Sequence, residues 1–164
     1  MLPKNIKIFL AGHNGMVGSA IYKELVRQGY KNIIIAPKEK LNLLHQKKVE
    51  IFLKKIKPKV TIIAAAKVGG ILANNNFKAN FIYENIMIQS NLIHSSYLAG
   101  VKNLIFLGSS CIYPKHSPQP MKEKYLLTGK LEGTNDAYSI AKIAGIKMCE
   151  AYSIQYNLNY KALM

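Results

Sequence analysis

The sequence predicts an α/β fold, a doubly wound parallel β-sheet with helices on both faces. Short apolar runs alternate with amphipathic stretches of helical length along the whole chain. Glycines follow the first apolar run, and small hydroxyl side chains end a later one. Strands that alternate with helices form parallel βαβ units, and such a sheet is covered on both sides.

The first part of the chain predicts two strands and two helices. Residues 6–11 (IKIFLA) are apolar enough for a buried strand, and residues 16–29 follow with the spacing of a helix. Residues 32–36 (NIIIA) predict the second strand. Residues 45–56 predict an amphipathic helix, which Pro58 ends.

The remaining chain repeats this alternation. Residues 60–66 (VTIIAAA) predict a strand, residues 77–98 a long helix, and residues 103–110 (NLIFLGSS) another strand. A polar loop with several prolines then covers residues 114–134, and the following helix extends to about residue 156.

The last residues, 158–164 (LNYKALM), have the pattern of one more strand. A doubly wound sheet made of two halves needs more chain than this. We therefore expect residues 1–164 to form one incomplete domain, truncated before a C-terminal substrate domain. We also expect that these residues alone do not turn over a substrate.

Length and composition indicate a soluble globular domain of 164 residues, of which 49% are hydrophobic and 19% charged. No run approaches the roughly 18 apolar residues that span a bilayer. The first apolar run leads into a glycine turn rather than a signal-peptide cleavage site. Cys111 and Cys149 form no CxxC pair. We expect a cytoplasmic protein without membrane segments, disulfides or a bound metal.

The formal net charge of +15 raises the possibility of a nucleic-acid partner. The lysines, however, are scattered over every segment, and Arg27 is the only arginine. Nucleic-acid recognition favours arginine and stacked aromatic side chains. We therefore interpret the lysines as a solvated surface and expect no nucleic-acid partner.

A glycine-rich turn follows the first predicted strand, with Gly12, Gly15 and Gly18 at the spacing GxxGxxG. Glycines between a strand and a helix make a tight turn and let the backbone approach a pyrophosphate. The alternative is a glycine turn without a ligand. Its position between strand and helix favours dinucleotide binding and a Rossmann-type fold.

The end of the second predicted strand indicates which dinucleotide is bound. Folds that prefer NAD place a carboxylate there to hold the ribose 2′-hydroxyl. This chain has Ala36 and Pro37 instead, followed by Lys38. A cation suits a 2′-phosphate, so we expect NADP, although the neighbouring Glu39 and a solvent-facing Lys38 are observations on the other side.

Two further features place reactive groups at the sheet. Ser109 and Cys111 follow a strand, and the carboxyl ends of parallel strands are where ligands bind. Tyr138 and Lys142 lie one helical turn apart, so the ammonium is expected to lower the pKa of the phenol. Turn chemistry, simple burial of the cysteine and a chance surface pair are the alternatives.

The order of these motifs resembles the extended short-chain dehydrogenase/reductase family. Four stretches carry the resemblance: AGHNGMVGSAI, AAAKVGGILANN, FLGSSCIYPK and AYSIAKIAGIKMCEAY. It implies that Tyr138 donates a proton to a carbonyl, Ser109 binds the same oxygen, Lys142 assists Tyr138, and Cys111 serves an epimerisation. It also implies cofactor contacts from Gly12, Asn14, Gly15, Met16, Val17, Gly18, Lys38, Ala65 and Lys142.

Within this family the four stretches resemble an NADPH-dependent epimerase-reductase that acts on a GDP-4-keto-6-deoxy sugar. The resemblance implies an NADP-binding Rossmann domain over residues 1–164, a GDP-sugar substrate and a homodimer for the full-length protein. It assigns the acid–base partner of Cys111 to a histidine outside these residues. Another nucleotide-sugar epimerase or dehydratase, and a non-catalytic dinucleotide-binding fragment, remain as alternatives.

Overall fold

The computed structural model describes residues 3–164 and contains five strands. They are β1 (Ile8–Ala11), β2 (Ile33–Ile34), β3 (Val60–Ile63), β4 (Asn103–Leu107) and β5 (Asn159–Leu163). All neighbouring pairs are parallel, and the strand order is β2-β1-β3-β4-β5. The predicted doubly wound parallel sheet is confirmed.

Five α-helices connect the strands. They are α1 (Met16–Arg27), α2 (Gln46–Ile56), α3 (Ile71–Asn76), α4 (Lys78–Leu98) and α5 (Asp136–Tyr156). Short 3-10 turns lie at Ser110–Ile112 and Glu123–Tyr125 within the loop that precedes α5. The sequence did not predict α3, because its three consecutive asparagines are poor helix formers.

Side chains alternate between the two faces of the sheet, as the strand period requires. Phe9, Ile63, Leu104 and Phe106 point to a core that also contains buried side chains of α2, α4 and α5. The opposite faces of β1 and β3 pack against α1. Helices therefore lie on both faces, as expected.

The chain leaves β1 towards one edge of the sheet and β3 towards the other. Ala11 pairs with Ile63, so the loops that follow β1 and β3 begin side by side. Ligands of doubly wound sheets bind at this kind of switch point, outside the carboxyl ends of the strands. The topology thus predicts where a cofactor lies.

The C-terminal ends of α4 and α5 carry a cluster of aromatic side chains around His94. His94 Nδ1 lies 2.7 Å from the Tyr152 hydroxyl, and Tyr97 and Tyr156 stack with ring centroids 4.1 Å apart. The His94 side chain is half-buried in this cluster.

Within residues 3–164, no helix has the length and apolar character needed to cross a bilayer.

Candidate active site and cofactor cleft

The glycine turn after β1 depends on close backbone packing. Gly12 has a φ of +89°, and a Cβ atom there would lie 2.5 Å from the backbone nitrogen of Ala65. A Cβ atom on Gly18 would overlap the carbonyl oxygen of Gly12. The Gly15 N–H donates to that same oxygen at 3.1 Å, and α1 begins at the next residue. Because these glycines carry no side chain, the start of α1 can lie close to β1 and β3.

A cleft of about 500 Å³ lies at the switch point between β1 and β3. Its walls are the loops that follow β1, β2 and β3, together with one face of α4. Seven of the predicted cofactor residues line it: Gly12, Asn14, Gly15, Met16, Val17, Lys38 and Ala65. Gly18 is buried under the loop, and Lys142 lies outside the lining.

The groups in this cleft suit a dinucleotide. A buried Nδ1 atom of His13 in the glycine loop has no partner among the described residues. The lining contains one carboxylate among residues 3–164, that of Glu84, and it pairs with the Lys67 ammonium at 3.5 Å. Lys38 is exposed in the loop that follows β2. The cleft thus offers backbone amides and cations to an anionic ligand.

Two buried asparagines on α4 hold the walls of the cleft, and the sequence analysis missed both. The Asn85 side chain accepts from the Lys67 N–H and donates to the Lys67 carbonyl, each at 2.9 Å. The Asn91 amide donates to the carbonyl of Leu43 at 2.8 Å. Buried polar side chains on a helix that packs on the core were the available signal, because such groups need partners.

The four predicted catalytic residues meet near the carboxyl end of β4. Cys111 Sγ donates to Ser109 Oγ at 3.2 Å. Lys142 Nζ donates to the carbonyl of Leu107, the last residue of β4, at 2.7 Å, and it lies 5.8 Å from the ring centroid of Tyr138. Cys111 is close enough to Tyr138 and to Lys142 to affect the pKa of each, so the four side chains share one site.

The pKa of Tyr138 moves in the direction opposite to the expectation from sequence. Burial raises this pKa, the nearby Cys111 raises it further, and a hydrogen bond with Ser109 lowers it. The expected lowering by Lys142 was wrong, because the ammonium is directed at the Leu107 carbonyl and lies 4.7 Å from the centroid of the Phe106 ring. The phenol is therefore fully protonated at neutral pH.

Lys142 is a buried cation with 4% of its surface exposed. Burial lowers its pKa to about 8, and the nearby Cys111 opposes this change. A shift of that size from 10.5 corresponds to a cost of roughly 3 kcal/mol for burying the charge. Such a cost marks Lys142 as a candidate functional residue.

Replacing Lys142 with Met should raise the free energy of unfolding by about 2 kcal/mol at pH 7. The gain is smaller than the burial cost, since Met also gives up the hydrogen bond to Leu107. Between pH 8 and 10.5 the unfolded parent retains the lysine proton that the folded parent loses, so the parent gains stability as pH rises. Urea unfolding at several pH values should show the difference between variant and parent shrinking over that window.

The comparison of variant and parent also separates the effect of Lys142 on the free energy of unfolding from the effects of other titrating groups. Burial raises the pKa of Cys149 to about 12, so this thiol lowers the stability of both proteins above pH 9. Because Cys149 is present in both, it cancels in the comparison. A variant less stable than the parent at pH 7, or a difference that is constant with pH, would contradict the interpretation of Lys142.

Comparison with known proteins agrees with this geometry. The model of the NAD dependent epimerase/dehydratase family matches residues 8–164. The chain belongs to this family.

Two curated relatives and one solved structure illustrate the similarity. GDP-L-fucose synthase 1 of Arabidopsis thaliana is 56% identical over 95% of the chain and 48% of its own length. GDP-L-fucose synthase of Escherichia coli K12 is 51% identical over 96% of the chain and 49% of its own length. A Campylobacter jejuni GDP-mannoheptose C4 reductase with NADP bound is 41% identical, with a TM-score of 0.95 over 99% of this chain and 51% of that one. The chain thus spans about half the length of the relatives it matches.

Proposed function

We propose that these residues are the nucleotide-binding half of a GDP-L-fucose synthase, an NADPH-dependent 3,5-epimerase and 4-reductase that converts GDP-4-keto-6-deoxy-D-mannose to GDP-L-fucose. One observation carries the proposal: Cys111 Sγ lies 3.2 Å from Ser109 Oγ just after β4, and Lys142 Nζ donates to the carbonyl that ends the same strand. A thiol beside a Ser-Tyr-Lys set supplies a group for epimerisation at the place where a ketone is reduced.

In the proposed reduction the Tyr138 hydroxyl donates its proton to the C4 carbonyl oxygen of the sugar. The raised pKa keeps this proton in place at neutral pH until an alkoxide begins to form. Ser109 donates a hydrogen bond to the same oxygen. When bound, NADPH supplies the hydride. By the resemblance Lys142 assists Tyr138, and its Nζ lies 5.8 Å from the centroid of the Tyr138 ring.

In the proposed epimerisation Cys111 exchanges protons at C3 and C5. Protons next to a ketone are acidic enough for a protein base to remove, and return of a proton on the other face inverts the carbon. The hydrogen bond to Ser109 Oγ fixes the direction of the thiol. An acid–base group for the opposite face comes, by the resemblance, from a histidine outside residues 1–164.

NADP is the proposed cofactor because of the charges at the cleft. Lys38 lies where the ribose 2′-position of a bound dinucleotide is expected. Glu84, which pairs with Lys67, lies on α4 rather than at the end of β2, where a carboxylate would hold a ribose hydroxyl. The related C4 reductase has NADP bound in its solved structure. These observations favour a 2′-phosphate over a 2′-hydroxyl.

Replacing Lys38 with Ala should reduce the preference for NADPH over NADH by about tenfold, or roughly 1.5 kcal/mol. The substitution removes one charge-assisted hydrogen bond to the 2′-phosphate, at the weak end of the usual range because Lys38 is exposed. Calorimetric titration of residues 1–164 with each dinucleotide measures the preference.

The matched control is Lys40→Ala, which removes an exposed lysine of the same loop that does not line the cleft. If the proposal is right, Lys40→Ala leaves the preference for NADPH over NADH unchanged. If Lys38 acted only by general electrostatic attraction, both substitutions would reduce this preference equally. Equal affinity of the parent for NADPH and NADH would refute the assignment of Lys38.

A reductase without epimerase activity is the second candidate, because a GDP-mannoheptose C4 reductase is 41% identical to the chain. The two functions differ in the use of Cys111. We would join residues 1–164 to the second half of the E. coli GDP-L-fucose synthase and supply the 4-keto sugar in deuterated water. Deuterium at C3 and C5 of the product supports the proposed function, and reduction without deuterium supports the second candidate.

A further inference from the structure

One ion pair joins the starts of the two helices that frame the candidate active site. Lys78 is the first residue of α4 and Asp136 is the first residue of α5. The Lys78 ammonium lies 2.9 Å from Asp136 Oδ1 and also donates to the carbonyl of Gly133. A single side chain therefore connects α4 to the backbone and the first turn of α5.

The carboxylate in this pair also organises the first turn of α5. Asp136 Oδ1 accepts the N–H of Ala137 at 2.8 Å, and the Ser139 N–H bonds to the carbonyl of Asn135. The hydrogen bond from Lys78 lowers the pKa of Asp136, so the carboxylate is charged at neutral pH. Tyr138 lies within this turn, two residues after Asp136.

The α4 side of the same contact reaches the ring of Tyr138. Phe81 follows Lys78 by three residues, so the two share a face of α4. The Phe81 ring meets the Tyr138 ring edge-on, with centroids 6.5 Å apart and an interplanar angle of 83°. Phe81 is 2% exposed, so the surrounding side chains fix its position. The position of the phenol thus depends on how the starts of α4 and α5 align.

We propose that Lys78 is a positioning residue for Tyr138: its ammonium fixes the first turn of α5 against α4 and so holds the phenol between Phe81 and the Ser109–Cys111 pair. The proposal rests on the proposed function, in which Tyr138 is the proton donor. It concerns the placement of the phenol, which is measured without any turnover.

The other ion pair of α5 provides a matched control. Lys147 Nζ lies 2.7 Å from Glu150 Oε2, and both side chains are about as exposed as those of Lys78 and Asp136. Lys147 and Glu150 lie within one helix and touch neither α4 nor Tyr138 in the described contacts. Exposed ion pairs contribute little to stability. Loss of either pair should therefore affect folding alike, while only one should affect Tyr138.

The test is the titration of Tyr138 in residues 1–164 labelled with fluorotyrosine, whose phenol is more acidic than that of tyrosine. Fluorine NMR follows each ring, and Tyr138→Phe identifies the Tyr138 signal. Free fluorotyrosine in the same buffer serves as the reference. In the parent and in Lys147→Met, Tyr138 should titrate at a higher pH than this reference, because burial raises the pKa of Tyr138.

In Lys78→Met the first turn of α5 loses its ion pair with α4, and water should reach the phenol of Tyr138. We expect the gap in titration midpoint between Tyr138 and free fluorotyrosine to shrink by at least half, and Lys78→Arg to restore it. If Lys78→Met does not fold, Asp136→Asn decides the question, since it removes the charge of the pair and should also narrow the gap. A gap as wide in the folded Lys78 or Asp136 variant as in Lys147→Met would overturn the proposal, whatever reaction Tyr138 serves.

Discussion

Replacing Gly18 with Ala should abolish dinucleotide binding and lower the free energy of unfolding by about 3 kcal/mol. The new Cβ atom would overlap the carbonyl oxygen of Gly12, a backbone atom that cannot swing aside as a side-chain end can. Relief requires α1 to move away from β1, which opens the glycine loop. Urea unfolding and calorimetric titration with NADPH measure the two effects.

Gly15→Ala is the matched control for this substitution. A Cβ atom at Gly15 would lie 3.5 Å from the Gly12 oxygen, an ordinary contact. Its stability should stay close to that of the parent, so any loss of dinucleotide binding in this variant reports contact with the ligand rather than collapse of the loop. Normal stability and binding in Gly18→Ala would show that the loop is looser than its geometry implies.

The sheet and the glycine loop could be predicted from sequence because local signals specify both. Apolar runs of strand length define β1, β3 and β4, and the glycines at 12 and 18 are needed where a Cβ atom would strike the backbone. The grouping of the four candidate catalytic residues also follows, because strand ends and helix starts converge at one edge of the sheet.

Features that depend on the folded environment could not be predicted in this way. The spacing of Tyr138 and Lys142 indicated an ammonium that lowers the pKa of the phenol, but burial raises that pKa and the ammonium points elsewhere. Desolvation is set by side chains distant in sequence, such as Phe81 on α4. Asn85 and Asn91 contact loops that are 18 and 48 residues away in the sequence. Patterns of neighbouring residues do not predict such contacts.

These environmental effects determine what each member of the site contributes. A phenol with a raised pKa keeps its proton at neutral pH and can still give it to the more basic alkoxide that forms during the proposed reduction. In the proposed function the thiol of Cys111, which donates to Ser109, exchanges protons on carbon. If that division between Tyr138 and Cys111 is right, one substitution should remove one activity and spare the other.

Tyr138→Phe should slow reduction of the 4-keto sugar by about 10²- to 10⁴-fold, the usual contribution of a positioned proton donor. The substitution removes only the hydroxyl, while the ring keeps its edge-on contact with Phe81, so folding and dinucleotide binding should stay normal. Exchange of deuterium into C3 and C5 should continue, because it depends on Cys111. The measurement uses residues 1–164 joined to the second half of the E. coli relative.

Two controls complete the experiment. Tyr83→Phe removes the hydroxyl of an exposed tyrosine on α4 and should change neither activity. Cys111→Ser should show the reverse pattern to Tyr138→Phe, losing exchange at C3 and C5, since a serine hydroxyl is a far weaker acid than a thiol. If Tyr138→Phe loses exchange and reduction together while it still binds NADPH, then Tyr138 acts in both steps and the division of work between the phenol and the thiol is wrong.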